Sequence, residues 1–113
     1  MPDPLNYYHL SASIADVGTA STVYFVAPQD GWLRQVETVL FAAITGADDV
    51  ITVTVDGTAL SPTITVTQSG SAAGDYDFAE YNAPVKKGSR ISIANSGAST
   101  GTAPLAYTVT LSG

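Results

Sequence analysis

Apolar and polar residues alternate along most of this chain, and a period of two marks a β-strand with one buried face. Ile51, Val53 and Val55 alternate with Thr52 and Thr54. Leu105, Tyr107, Val109 and Leu111 alternate with Ala106, Thr108, Thr110 and Ser112. Residues 90–94 form a short strand with Ile91 and Ile93 inward. Residues 60–66 alternate in the same way, but Pro62 lacks an N–H for the ladder and demands an edge or a bulge there. Further strands are expected at residues 6–14, 22–27, 32–43 and 75–81. The run 36–44 is apolar enough for a short helix, yet its Val, Thr, Phe and Ile residues favour a pleated surface.

Turn chemistry divides these runs. Asp56-Gly57 is a two-residue hairpin signal, because both positions of a type I′ turn need positive φ. Lys86-Lys87-Gly88-Ser89 turns into the strand at 90, with Gly88 supplying the unusual φ. Residues 28–31 make a turn, and the Ser/Ala/Gly stretches 69–74 and 95–101 are loops. The count is about eight short strands at roughly 8–15-residue intervals, the spacing of sandwiches and jelly rolls. The expected fold is therefore all-β: a single antiparallel β-sandwich or jelly roll over residues 1–113, led by a short N-terminal arm over about residues 1–8. Its expected core includes Val23, Phe25, Ile51, Val53, Val55, Ile64, Val66, Ile91, Ile93, Tyr107 and Val109.

Composition sharpens this picture. Of 113 residues, 45% are hydrophobic and only 12% are charged, against about 25% charged in ordinary soluble domains. Charges are what usually keep exposed sheet edges apart, so a chain this poor in them is suited to lasting association. The net charge of −6 opposes nucleic-acid binding, which needs a basic footprint. No run has the apolar length of a membrane span. Met1-Pro2-Asp3-Pro4 has neither the basic region nor the apolar run of a signal peptide. Without cysteine, neither disulfides nor thiolate metal sites are available.

Candidate chemistry is sparse. His9 is the one histidine, with no cysteine and no second histidine to join it, and it reads as an ordinary strand or interface residue. It is the one base a serine hydrolase could use. Gly70-Ser71-Ala72-Ala73-Gly74 misplaces its serine for a nucleophile elbow. Asp75 and Asp77 share a strand face and, with Glu80, are the nearest approach to a Ca²⁺ group, but the twelve-residue Ca²⁺ loop pattern is absent. Asp48 and Asp49 read as loop-closing surface acids, and Asp56 as the hairpin aspartate. No catalytic residue, cofactor or metal is expected, and the chain does not read as an enzyme. Trp32, at a strand start after Asp30-Gly31, and the tyrosines bring large area with a polar tip, suited to an interface or a sugar platform.

A resemblance gives these features a context. Residues 23–33, with Pro28, Gly31 and Trp32, resemble the strand–Pro–x–x–Gly–strand opening of small phage head proteins. Residues 51–57 and 64–75 resemble their hairpin and following Ser/Ala/Gly loop, and residues 85–93 their return through a polar turn. These proteins are the jelly-roll decoration, or cement, proteins of tailed-phage capsids. The resemblance implies a structural protein with no catalytic residues. It implies a homo-oligomer, with a trimer favoured, whose partner is the major capsid protein and whose place is the capsid exterior of the virion. Pro4, Leu5, Tyr7, Tyr8 and Trp32 are the expected partner-binding residues. The first four belong to a Pro-stiffened arm that loses little entropy on docking. The competing reading is a carbohydrate- or receptor-binding sandwich module of a phage fibre or secreted protein.

Overall fold

The computed structural model describes residues 7–100 and 102–113. Its strands are β1 (Tyr7–Ile14), β2 (Ser21–Val26), β3 (Gly31–Leu40), β4 (Asp49–Val55), β5 (Thr58–Ala59), β6 (Ile64–Val66), β7 (Tyr76–Val85), β8 (Arg90–Asn95) and β9 (Leu105–Ser112). They form two antiparallel sheets packed as a sandwich. Sheet A has the order β1-β9-β3-β7, and sheet B the order β2-β8-β4-β5 with β6 also on β4. No helix occurs among the described residues. With β5 and β6 taken as two pieces of one strand, the chain follows the eight-strand jelly-roll route. The expected helix-or-strand run at 36–44 is resolved in favour of strand as far as Leu40.

Strand alternation builds the core directly. Leu105, Tyr107, Val109 and Leu111 of β9 meet Leu33, Val36 and Leu40 of β3 on the inner face of sheet A. Ile51, Val53 and Val55 of β4 lie beside Ile91 and Ile93 of β8 on the inner face of sheet B. All of these are buried. Val23, expected in the core, is only half-buried, because β2 is an edge strand and its side chain packs from the rim.

The Asp56-Gly57 hairpin forms as expected, with φ of 50° and 88° and Val55 paired to Thr58. Asp56 Oδ1 also accepts the Arg90 N–H at 2.9 Å. That backbone hydrogen bond, helped by the Ser89 hydroxyl, holds the Asp56 carboxyl below its ordinary pKa. The return strand is broken at Ser61-Pro62-Thr63, and Ile64 then pairs with Ile51, two residues out of the hairpin register. A one-residue slip would turn Ile64 and Val66 outward, whereas a two-residue slip preserves their face, and both are buried.

Two strand ends differ from expectation. β3 stops at Leu40 rather than at residue 43, and Ile44 returns to the core as a loop residue whose N–H and C=O are both satisfied by the Ser71 hydroxyl. β7 runs on to Val85, beyond residue 81, and includes Pro84, which is tolerated because β7 is an edge strand. The expected arm, about residues 1–8, and the expected strand at 6–14 overlap at Tyr7 and Tyr8. Tyr7 and Tyr8 pair with Ser112 and Leu111 and belong to β1, since the alternation that defines the strand already starts there. Pro4 and Leu5 lie outside the described residues.

Candidate binding surfaces

The outer face of sheet A is organised in rows that cross all four strands. Tyr7, Ser112, Trp32 and Pro84 make the first row, and His9, Thr110, Gln35 and Glu80 the second. Tyr7 and Trp32, two of the expected partner-binding residues, are thus two strands apart on one surface, about 10 Å at normal strand spacing. Both are exposed, Tyr7 at 53% and Trp32 at 37%. Tyr8 is not with them: alternation turns it inward, where its hydroxyl is buried without a partner and burial raises its pKa.

Between the two rows, the β3 registers shift at Arg34. Such a bulge twists the strand and re-aims a side chain. Here it places Arg34 and Gln35 on the same face. The Arg34 guanidinium is held by the Ser112 hydroxyl at 2.7 Å and by the Asn82 carbonyl oxygen, and it lies 5.6 Å from the Trp32 ring centroid. Tyr7, Arg34, Gln35, Glu80, Asn82 and Thr110 line an open groove of about 550 Å³. Sequence reading missed Arg34, Gln35 and Asn82, because a bulge leaves no mark in the alternation, and it grouped Glu80 with Asp75 and Asp77 instead. The one available signal was a lone arginine inside a predicted strand. Farther along this face, Tyr76 and Phe78 of β7 stack at 6.1 Å between centroids, both exposed.

The outer face of sheet B is chemically plain. Thr22, Tyr24 and Val26 of β2 lie beside Ala94, Ser92 and Arg90 of β8, and Thr52 and Thr54 of β4 continue the rows. Arg90 is the one charged residue in these rows, and its guanidinium lies 5.9 Å from the centroid of the Tyr24 ring. Tyr24 and Val26 are more than 60% exposed. Edge strand β2 carries no charge, no proline and no register shift. The opposite edges are protected, by Asp77, Glu80 and Pro84 on β7 and by the Pro62 interruption between β5 and β6.

The acids do not assemble into a site. Among the described residues, no group of three or more potential metal ligands occurs. Asp75 Oδ2 accepts the Ala72 N–H. Asp77 faces inward, and burial, with the Asp75 charge as a lesser cause, raises its pKa. Glu80 faces outward in the groove, so alternation separates it from Asp77. Asp49, expected at the surface, is fully buried, because it occupies an inward position at the start of β4. Its Oδ1 accepts the Ser96 hydroxyl at 2.8 Å and the Gly97 N–H at 3.0 Å, while Oδ2 is unpartnered. His9 is an outer-face residue, and its Nδ1 shares a 3.0 Å hydrogen bond with the Thr110 hydroxyl.

No protein-family model matches the chain, and no curated protein matches it in sequence. Its fold is nevertheless found among solved structures. A component of the cyanophage Pam1 capsid asymmetric unit superposes with a TM-score of 0.56 at 18% identity, over 95% of this chain and 84% of that one. The catalytic unit of the GH87 α-1,3-glucanase from Streptomyces thermodiastaticus also gives 0.56, at 14% identity, over 95% of this chain. The chain spans only 26% of that enzyme unit. The CBM35 from Cellvibrio japonicus Abf62 gives 0.50 at 14% identity, over 82% of this chain and 66% of that module. Identities this low establish the shared β-sandwich architecture. Both phage-capsid and carbohydrate-binding proteins use it.

Proposed function

We propose that this chain is a phage capsid decoration protein that binds the outer surface of the assembled head and stabilises it. The observation that carries this reading is the outer face of sheet B with its open β2 edge. A shell-binding protein must cover a broad protein surface without stranding charges, and interface centres are depleted of charge for that reason. An outer face of Thr, Ser, Ala, Val and Tyr, with Arg90 and the adjoining hairpin Asp56 confined to one end, fits that need. The Pam1 capsid component, of similar length and fold, supports the compatibility of this architecture with a virion. In this reading the partner is the major capsid protein, and the protein acts as a homo-oligomer, a trimer on the resemblance of its turns to decoration proteins. Several modest contacts per oligomer then combine into lasting attachment.

The test is co-sedimentation with undecorated heads assembled from the major capsid protein of the phage that carries this chain's gene. The wild-type protein is expected to saturate the heads. Thr52→Lys combined with Ala94→Lys, at outward positions on neighbouring strands, is expected to abolish binding while leaving the circular dichroism spectrum unchanged. A wild-type protein that stays in the supernatant, or a doubly charged variant that binds as well as wild type, defeats the proposal.

A further inference from the structure

We infer that the groove on the outer face of sheet A is a binding site for a neutral oligosaccharide, distinct from the face proposed to meet the capsid. Its make-up suits a polyol. The walls and floor present Arg34, Gln35, Glu80, Asn82 and Thr110 within two neighbouring rows. A flat protein surface laid over them would desolvate an arginine and a glutamate with no assured partners, at a high energetic cost. Sugar hydroxyls instead donate and accept at once. They can satisfy Glu80 as acceptor, Arg34 as donor, and the Gln35 and Asn82 amides as both.

Arg34 is pre-organised for this role. Of the five N–H donors of a guanidinium, the contacts to Ser112 and Asn82 use two and fix its plane against Trp32. The remaining donors are free to meet adjacent hydroxyls. Holding a donor fork in place before binding lowers the entropy lost on complex formation. Gln35 and Glu80 face each other across the β3–β7 ladder, so their carbonyl, amide and carboxylate groups stand within reach of one ring.

Stacking surface comes from Tyr7, the exposed aromatic wall of the groove. An aromatic face packs on the apolar C–H face of a pyranose, and the tyrosine hydroxyl remains available to a neighbouring oxygen. The site carries one fixed cation, Arg34, and one carboxylate, Glu80. An anionic sugar would therefore meet repulsion from Glu80 wherever it gained from Arg34, and the ligand class is neutral. The rows of sheet A lie about 6.7 Å apart, twice the rise per residue of a strand.

The experiment is a set of ¹⁵N-HSQC titrations of the full chain with cellotetraose, laminaritetraose and maltotetraose, with 3′-sialyllactose as the acidic comparison. At least one neutral tetrasaccharide is expected to give saturable shifts at low millimolar concentration, centred on Tyr7, Gln35, Glu80 and Thr110 with the Arg34 Nε–H among them. Gln35→Ala and Tyr7→Ala are expected to weaken that sugar at least about tenfold, a loss of about 1.4 kcal/mol. Tyr24→Ala, on the opposite sheet, is expected to leave it unchanged. The three residues substituted are exposed or half-exposed, and the variants' spectra report directly whether the fold is retained. No saturable shift with any neutral sugar up to about 10 mM, shifts centred outside the groove, or binding of sialyllactose alone each overturns the inference. Head co-sedimentation is scored separately on the same variants, so a failure of sugar binding is not confused with a failure of capsid binding.

Discussion

At the scale of single residues, two buried polar groups dominate. Asp49 joins the start of β4 to the loop after β8 through its bonds to Ser96 and Gly97. Asp49→Ala removes both bonds and leaves the half-buried Gly97 N–H without its acceptor, while the exposed Ser96 hydroxyl can turn to water, so a loss of about 1–3 kcal/mol is expected in urea denaturation. Asp49→Asn keeps an accepting oxygen and removes a buried charge, so it is expected to cost less than about 1 kcal/mol. Equal losses in the two variants would mean that the hydrogen bonds are not what matters there. Tyr107 is fully buried with no partner for its hydroxyl, and burial, reinforced by the Asp49 charge, raises its pKa. Burial also raises the pKa of Tyr81. A raised tyrosine pKa means that the folded state holds its proton while the unfolded chain releases it. Stability is therefore unaffected below the unfolded value of about 10 and falls as pH rises above it, until the folded tyrosine also releases its proton. Tyr107→Phe is expected to gain about 1 kcal/mol at pH 7 and to flatten the alkaline limb between about pH 10 and 11.5. Melting curves across that range check both.

At the scale of elements, the two hinge-like glycines are expected to behave differently. Gly57 sits at positive φ in the hairpin, but an added Cβ there meets nothing. Gly57→Ala therefore carries only conformational strain, about 1 kcal/mol. Gly31 opens β3 beneath the end of β9, and a Cβ on it would stand 2.0 Å from the Ser112 carbonyl oxygen. Since backbone cannot yield as a side-chain tip does, Gly31→Ala is expected to cost about 3 kcal/mol or more and to loosen the first row of the candidate groove. Val53, at the centre of sheet B, is fully buried. Val53→Asp places an unpaired charge in that core and is expected to abolish folding, seen as loss of dispersion in the proton NMR spectrum. The hairpin, the last strand and the alternating β4 were legible in the sequence because each states its geometry locally, through Asp-Gly or through strict alternation. The break at Pro62 was legible as an interruption, but not its two-residue length, which depends on which face Ile64 must find.

At the scale of the whole molecule, the sandwich has one protected side and one open side. The β2 edge is uncharged and regular, and under the proposed homo-oligomer it is where a second copy would add its own strand. Tyr24→Lys together with Thr22→Lys is expected to lower the solution mass toward that of a monomer, as read by light scattering after size exclusion. An unchanged oligomer would move the self-contact to another surface. Because Tyr7 and Tyr8 belong to β1, the arm is tested by deleting residues 2–6. That deletion is expected to weaken head binding without unfolding the protein, and undiminished co-sedimentation would remove the arm from the capsid contact.

Fold class, most strand positions and the hairpin are written locally, because period-two alternation and turn residues act over a few neighbours, and the scarcity of charge is plain in the composition. Which strands share a sheet is settled by long-range pairing alone. Pairings such as β1 with β9 and β2 with β8 join opposite ends of the chain and leave no local trace. For the same reason Tyr7 and Trp32, legible as interface aromatics, could not be placed together from sequence, and Arg34 and Glu80 could not be seen to share a groove. Burial of Asp49 was equally invisible. An aspartate beside another aspartate reads as a loop acid, until strand phase turns one of the two inward and the far loop at Ser96 closes over it.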